Sequence, residues 1–155
     1  MPVLSAGILL FRRPAPDRVE VLLGHPGGPL WARKDDGAWS IPKGEYRPDE
    51  LPRDAAAREF AEELGMPLPA GFEVDLGTVR LPSGKRLTAY AVEADLDPER
   101  AESNTFEMEW PPRSGRRQSF PEIDRVAWFE PETARVKLAR GQAELLDRLL
   151  SALRE

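Results

Sequence analysis

Glu59, Glu62 and Glu63 fall within five residues, with Arg58 immediately before the first. The pattern over residues 51–64 is helical. At 100° per residue the three glutamates share an arc of about 100°. Ala57, Phe60, Ala61 and Leu64 take the opposite side, which is the side expected to pack on a sheet. Like charges spaced three and four residues apart destabilise a helix. Lysine or arginine offsets that cost in part, and a divalent cation offsets it better. Mg²⁺ is a hard ion that takes carboxylate oxygens and keeps some of its waters. The competing reading is an acidic face that simply meets water.

The elements that position these residues follow from pattern. Residues 3–12 and 19–25 are rich in Val, Ile and Leu and read as two strands. The turn-rich stretch PGGPLWARKDDGAW follows, then SIPKGE, a short apolar piece that stops at Pro42. Pro52 suits the first turn of the acidic helix, Asp54 complements its dipole, and Gly65 suits its end. Residues 72–81 and 86–96 read as strands around the turn PSGK. Over 105–110, Phe106, Met108 and Trp110 alternate with Glu107 and Glu109, the pattern of a half-buried strand. PPRSGRRQSFPE reads as a basic loop, 125–129 as a strand, and 143–153 as an amphipathic helix. Strands, helix, strands, helix imply an α+β or layered α/β/α domain, taken as one unit over 1–155.

Composition narrows the function. The 155 residues are 32% charged and 41% hydrophobic, ordinary for a soluble globular chain. There is no cysteine. That excludes disulfides, a zinc–thiolate site and a cysteine nucleophile, and fits a cytoplasmic location. The first apolar run is too short to span a bilayer and lacks the flanks of a targeting segment. The net charge of −5 argues against a nucleic-acid partner and would repel a phosphorylated substrate unless cations intervene. His25 has no GxSxG partner and reads as structural or surface.

Read with its flanks, the acidic helix becomes specific. Gly44 is followed after five residues by Glu50, and after seven more by REFAEELGM, from Arg58 to Met66. Over residues 44–66 this resembles the signature of the MutT-like Nudix hydrolase family at every defined position, Phe60 and Met66 included. The resemblance implies a mixed β-sheet in an α/β/α sandwich, with the signature as a loop–helix–loop metal motif. It implies Mg²⁺ or Mn²⁺ held by Glu59, Glu62 and Glu63, with the Gly44 carbonyl as a further ligand. Glu50 and Arg58 would pair to brace the motif, and Gly65 would end the helix. The catalytic set on this reading is Glu59, Glu62 and Arg58, Arg58 serving through its brace. The general base is Glu59 or Glu62, or a glutamate of a later loop: Glu107, Glu109 or Glu122. The reaction implied is hydrolysis of a nucleoside diphosphate linked to another group, and the acidic chain meets its anionic substrate through the ions.

The substrate rests on weaker features. WSIPKGE resembles the lead-in of dinucleoside polyphosphate and nucleoside triphosphate hydrolases, with Lys43 placed to meet a phosphate oxygen. Arg116 and Arg117, beside Arg113, are further phosphate candidates, and Trp31 is a candidate for stacking on a base. Trp39 reads as core. Pro82 lies near the spacing of a proline found in ADP-ribose hydrolases, but it sits in the PSGK turn. The expectation is a dinucleoside polyphosphate or a nucleoside triphosphate. An ADP-ribose or nucleotide-sugar hydrolase, or a nucleotide sensor that does not cut, are the alternatives. The expected partner is a small nucleotide, with no nucleic acid and no membrane, and the chain a monomer or homodimer.

Overall fold

Leu4–Ala15 forms the first strand, β1. From Ser5 to Phe11 every residue is buried. Ala6, Ile8 and Leu10 enter one core while Leu9 and Phe11 enter another. A strand buried on both faces belongs inside a sheet covered on both sides, and the computed structural model, which describes residues 2–154, shows that arrangement. β2 (Arg18–Pro26) and β3 (Lys43–Glu45) both pair antiparallel with β1. Helix α1 (Pro52–Leu64) follows, then the hairpin β4 (Glu73–Arg80) and β5 (Arg86–Glu93). β5 runs parallel to β1, so the sheet is mixed. A short ribbon of β6 (Thr105–Glu109) and β7 (Arg117–Pro121) stands apart from it. β8 (Ile123–Phe129), α2 (Pro131–Lys137) and α3 (Ala143–Leu153) complete the chain. The sheet order is β4-β5-β1-β2-β8, with β3 also on β1.

α1 covers one face of the sheet, where Ala55, Ala56, Phe60 and Leu64 pack with Ile8, Leu10 and Leu22. α2 and α3 cover the other, where Ala134, Leu145, Leu146 and Leu149 pack with Leu9, Phe11, Leu23 and Trp39. Each fully buried Leu or Phe contributes roughly 1.5–3 kcal/mol relative to exposure. The fold is therefore α+β, a mixed sheet between helical layers. No helix among the described residues is long and apolar enough to cross a membrane.

Three details differ from expectation. The buried stripe of α1 is centred on Ala56, Phe60 and Leu64, with Ala55 also buried and Ala57 and Ala61 only partly covered. The helix is thus turned by about 50° from the predicted orientation, which brings Glu63 to the border of the core and turns Glu62 outward. The PPRSGRRQSFPE segment is a turn followed by a strand, because residues 117–121 pair with β6. α2 carried too short a pattern to be seen, although Pro131 marks its first turn.

The C-terminal end of α1 fixes what lies near the acidic cluster. Gly65 adopts φ 69°, and its N–H donates to the Ala61 carbonyl at 2.8 Å. The Glu102 N–H donates to the Leu64 carbonyl at 2.9 Å, and the Asn104 N–H to the Glu62 carbonyl at 3.2 Å. The Glu122 N–H donates to the Asn104 carbonyl at 2.9 Å. These bonds tie the β7–β8 junction to the end of α1.

Candidate active site

A cavity of about 450 Å³ opens where β3, α1 and the β7–β8 junction meet. Glu59, Glu63 and Glu122 line it, with Lys43, Gly44, Lys85 and Asn104 among their neighbours. β3 presents Lys43 and Gly44 because it pairs with β1 in the register Gly7↔Lys43, Ala6↔Gly44. Gly44 passes so close to α1 that a Cβ there would collide with the Glu59 carboxylate.

Arg58 serves three of the motif's carboxylates, and Glu63 has a different partner. Arg58 donates from Nε and Nη2 to both oxygens of Glu50, at 3.0 and 2.9 Å. Its Nη1 donates to Glu59 at 2.9 Å and to Glu62 at 3.4 Å. Glu63 accepts the Lys43 backbone N–H at 3.2 Å. Burial pushes Glu63 up to about 8, against the pull of Lys43. Burial also raises Glu59, opposed by Arg58. Glu62 is about 45% exposed and does not line the cavity. Among the described residues no three His, Asp or Glu side chains converge on one point. Glu59 and Glu62 lean to Arg58, and Glu63 leans to β3.

The donor set suits a hard divalent cation. The acidic side chains offer carboxylate oxygens and no sulfur, which matches Mg²⁺ or Mn²⁺. The raised Glu63 carboxyl marks a partly buried acid short of positive charge, which an ion would supply.

Of the later glutamates, only Glu122 lines the cavity. Glu107 and Glu109 lie on β6 opposite Ser119 and Arg117, and Glu109 accepts the Arg113 N–H at 2.8 Å. Arg116 and Arg117 are exposed on the ribbon and line neither this cavity nor the cleft beside it. That cleft, of about 290 Å³, is walled by Gly27, Gly28, Leu30, Trp31, Phe106 and Met108 and shares Glu122 with the cavity. Lys34 stands over the Trp31 ring at 4.8 Å. The sequence offered Trp31 as a stacking candidate and gave Phe106 and Met108 only as the apolar side of a half-buried strand; all three wall this cleft. The double glycine was the available signal: a Cβ at Gly28 would lie 2.8 Å from the Phe106 ring.

Trp39 is buried and donates to Asp35 at 2.7 Å, a core role. His25 is fully buried, bonded to Asp124 at 2.8 Å and to the Lys34 carbonyl at 2.6 Å. It joins β2, β8 and the loop that carries Trp31.

The NUDIX domain family model matches residues 1–149. The chain belongs to the Nudix family. Among curated Nudix relatives, an RNA pyrophosphohydrolase of Pseudomonas putida is 45% identical over 47 residues, 30% of this chain and 30% of that protein. One from Hahella chejuensis is 39% identical over 62 residues, 39% of this chain and 38% of that protein. The matched stretches thus span about a third of the curated relatives' length. The Nudix fold is shared with the Caenorhabditis elegans Ap4A hydrolase, at a TM-score of 0.64 and 19% identity over 97% of this chain and 98% of that one. It is also shared with the NUDIX domain of Shewanella oneidensis NrtR solved with ADP ribose, at 0.64 and 17% identity over 99% and 89%.

Proposed function

We propose that the protein is a pyrophosphohydrolase that breaks a phosphorus–oxygen bond in a nucleoside polyphosphate. The observation that carries this reading is one cavity in which Glu59, Glu63 and Glu122 face Lys43 and Lys85, with the Trp31 cleft alongside. Glu59, Glu63 and the Gly44 carbonyl would hold Mg²⁺ or Mn²⁺, with Glu62 joining by a change of rotamer. When bound, such ions neutralise pyrophosphate oxygens and acidify a water. The chain's own residues do the rest. Glu122 takes the proton of the attacking water. The water oxygen bonds to phosphorus while the bond to the bridging oxygen breaks. Lys43, and Lys85 beyond its 2.8 Å pair with Glu45, meet the charge on the departing phosphate. Arg58 holds Glu59 and Glu50 in place.

The proposed substrate is a dinucleoside polyphosphate or a nucleoside triphosphate. A second reading is a 5′-polyphosphate on a longer chain, favoured by the relatives named RNA pyrophosphohydrolases. The test is a panel of diadenosine polyphosphates, nucleoside triphosphates, 5′-triphosphorylated RNA and ADP-ribose with Mg²⁺ or Mn²⁺, products being separated by chromatography. Turnover of polyphosphates, abolished by Glu63→Gln in a folded protein, supports the reading. Cleavage of ADP-ribose alone overturns the substrate choice, and metal-dependent nucleotide binding without turnover points to a sensor.

A further inference from the structure

The β6–β7 ribbon changes character along its length. Near its base Phe106 and Met108 wall the cleft. The register pairs Phe106 with Phe120 and Met108 with Gln118. It continues to Trp110, whose N–H donates to the Arg116 carbonyl at 2.9 Å. Residues directly opposed in an antiparallel pair share a face. Phe106, Met108, Trp110 and Arg116 therefore form one stripe on the cleft side, while Glu107, Glu109 and Arg117 take the other side. The stripe runs from the Glu122 junction to a tip that carries Arg113.

That tip is ordered and positive. Gln118 donates to the Trp110 carbonyl at 2.8 Å, and the Arg116 N–H to the Ser114 hydroxyl at 3.1 Å. Residues 111–118 include three arginines and no acid. Arg12, Arg13, Arg53 and Arg58 each meet a carboxylate. Arg113, Arg116 and Arg117 make no ion pair among the described residues. The net charge of −5 does not decide this surface, because screening limits the field to about 8 Å at physiological salt. Trp110 stands four strand residues beyond Phe106, roughly 14 Å along the ribbon. A single nucleotide held in the cleft leaves that outer part unused.

We propose that this face is a track for the leading nucleotides of a single-stranded RNA whose 5′ phosphates lie in the carboxylate cavity. Bases stack along Phe106, Met108 and Trp110, and backbone phosphates meet Arg116 and Arg113. The inference rests on the pyrophosphohydrolase reading for the position of the 5′ end, and it departs from the expectation of no nucleic-acid partner.

The test separates the two. A fluorescent single-stranded hexaribonucleotide with a 5′-hydroxyl has no anhydride to cleave, so its binding is read by anisotropy independently of turnover. The expected result is saturable binding that Trp110→Ala and Arg116→Ala each weaken about tenfold. Trp110→Phe should restore the stack, and Arg117→Ala, on the far face, should change binding less than twofold. The salt slope should fall by about 0.7 in Arg116→Ala. KM for a 5′-triphosphorylated hexamer should rise in the same two variants while KM for ATP holds. No saturable binding, or equal losses in Arg116→Ala and Arg117→Ala, overturns the track. Hexamer binding with the expected pattern but no turnover of any polyphosphate leaves the track standing and sinks the hydrolase reading. Turnover of ATP without hexamer binding does the reverse.

Discussion

Gly44 and Glu59 occupy space that allows no side chain between them: a Cβ on Gly44 would overlap the Glu59 carboxylate. Gly44 is held by β3 pairing to Ala6, so the strand does not yield. The flexible carboxylate would have to move instead. Gly44→Ala is therefore expected to fold normally and lose about 100-fold in kcat/KM, the usual scale for a misplacement of about 1 Å. Circular dichroism beside steady-state kinetics checks this, and a fully active Gly44→Ala would remove Glu59 from the cavity's chemistry.

Much of this arrangement was readable from the residues. β1 and β2 were legible as strands from their Val, Ile and Leu content, and the Gly44–Met66 spacing located α1 and its carboxylates. What failed was rotation. Ala57 and Ala61 look as apolar as Ala56, so periodicity alone misplaced the buried stripe by about 50° and left Glu62 and Glu63 equivalent. The structure separates them, Glu63 partly buried and Glu62 half exposed. Glu122 was one of three equal glutamates until the bond to Asn104 placed it on the cavity. That choice depends on contacts between residues far apart in sequence, which no local pattern records.

Glu63 gives the protein an unusual pH response when divalent ions are chelated. Burial raises its folded value to about 8 from the ordinary 4.5. The unfolded chain ionises first, so the contribution of Glu63 is full below pH 4.5 and is lost as pH rises to about 8. The melting temperature in EDTA should fall across that window more steeply for the wild type than for Glu63→Gln. Added Mg²⁺ should restore it and release close to one proton near pH 7, read by calorimetry in buffers of different ionisation enthalpy. Parallel melting curves for both proteins would refute the assignment.

Arg58 joins Glu50, Glu59 and Glu62 through one planar guanidinium. Lysine supplies the charge but not the fork. Arg58→Lys should lower the melting temperature only slightly, since the group is partly exposed, yet cut kcat by more than tenfold through a loosened Glu59. Thermal unfolding and kinetics on the same sample decide the matter. A large loss of stability with kcat intact would make Arg58 a purely structural brace.

Glu122 shares the cavity with Glu59 and Glu63, and unlike Glu45, which also lines it, has no lysine or arginine paired to it among the described residues. A carboxylate that accepts the proton of the attacking water contributes about 10²–10⁴ in rate. Glu122→Gln preserves shape and its backbone bond to Asn104 while removing that capacity. It should lower kcat by about 100-fold or more with little change in KM. Glu107→Gln and Glu109→Gln, on the outer face of β6, should retain the wild-type kcat. If either outer variant loses activity while Glu122→Gln does not, the proton acceptor lies elsewhere and the part played by the β7–β8 junction is limited to shaping the cavity.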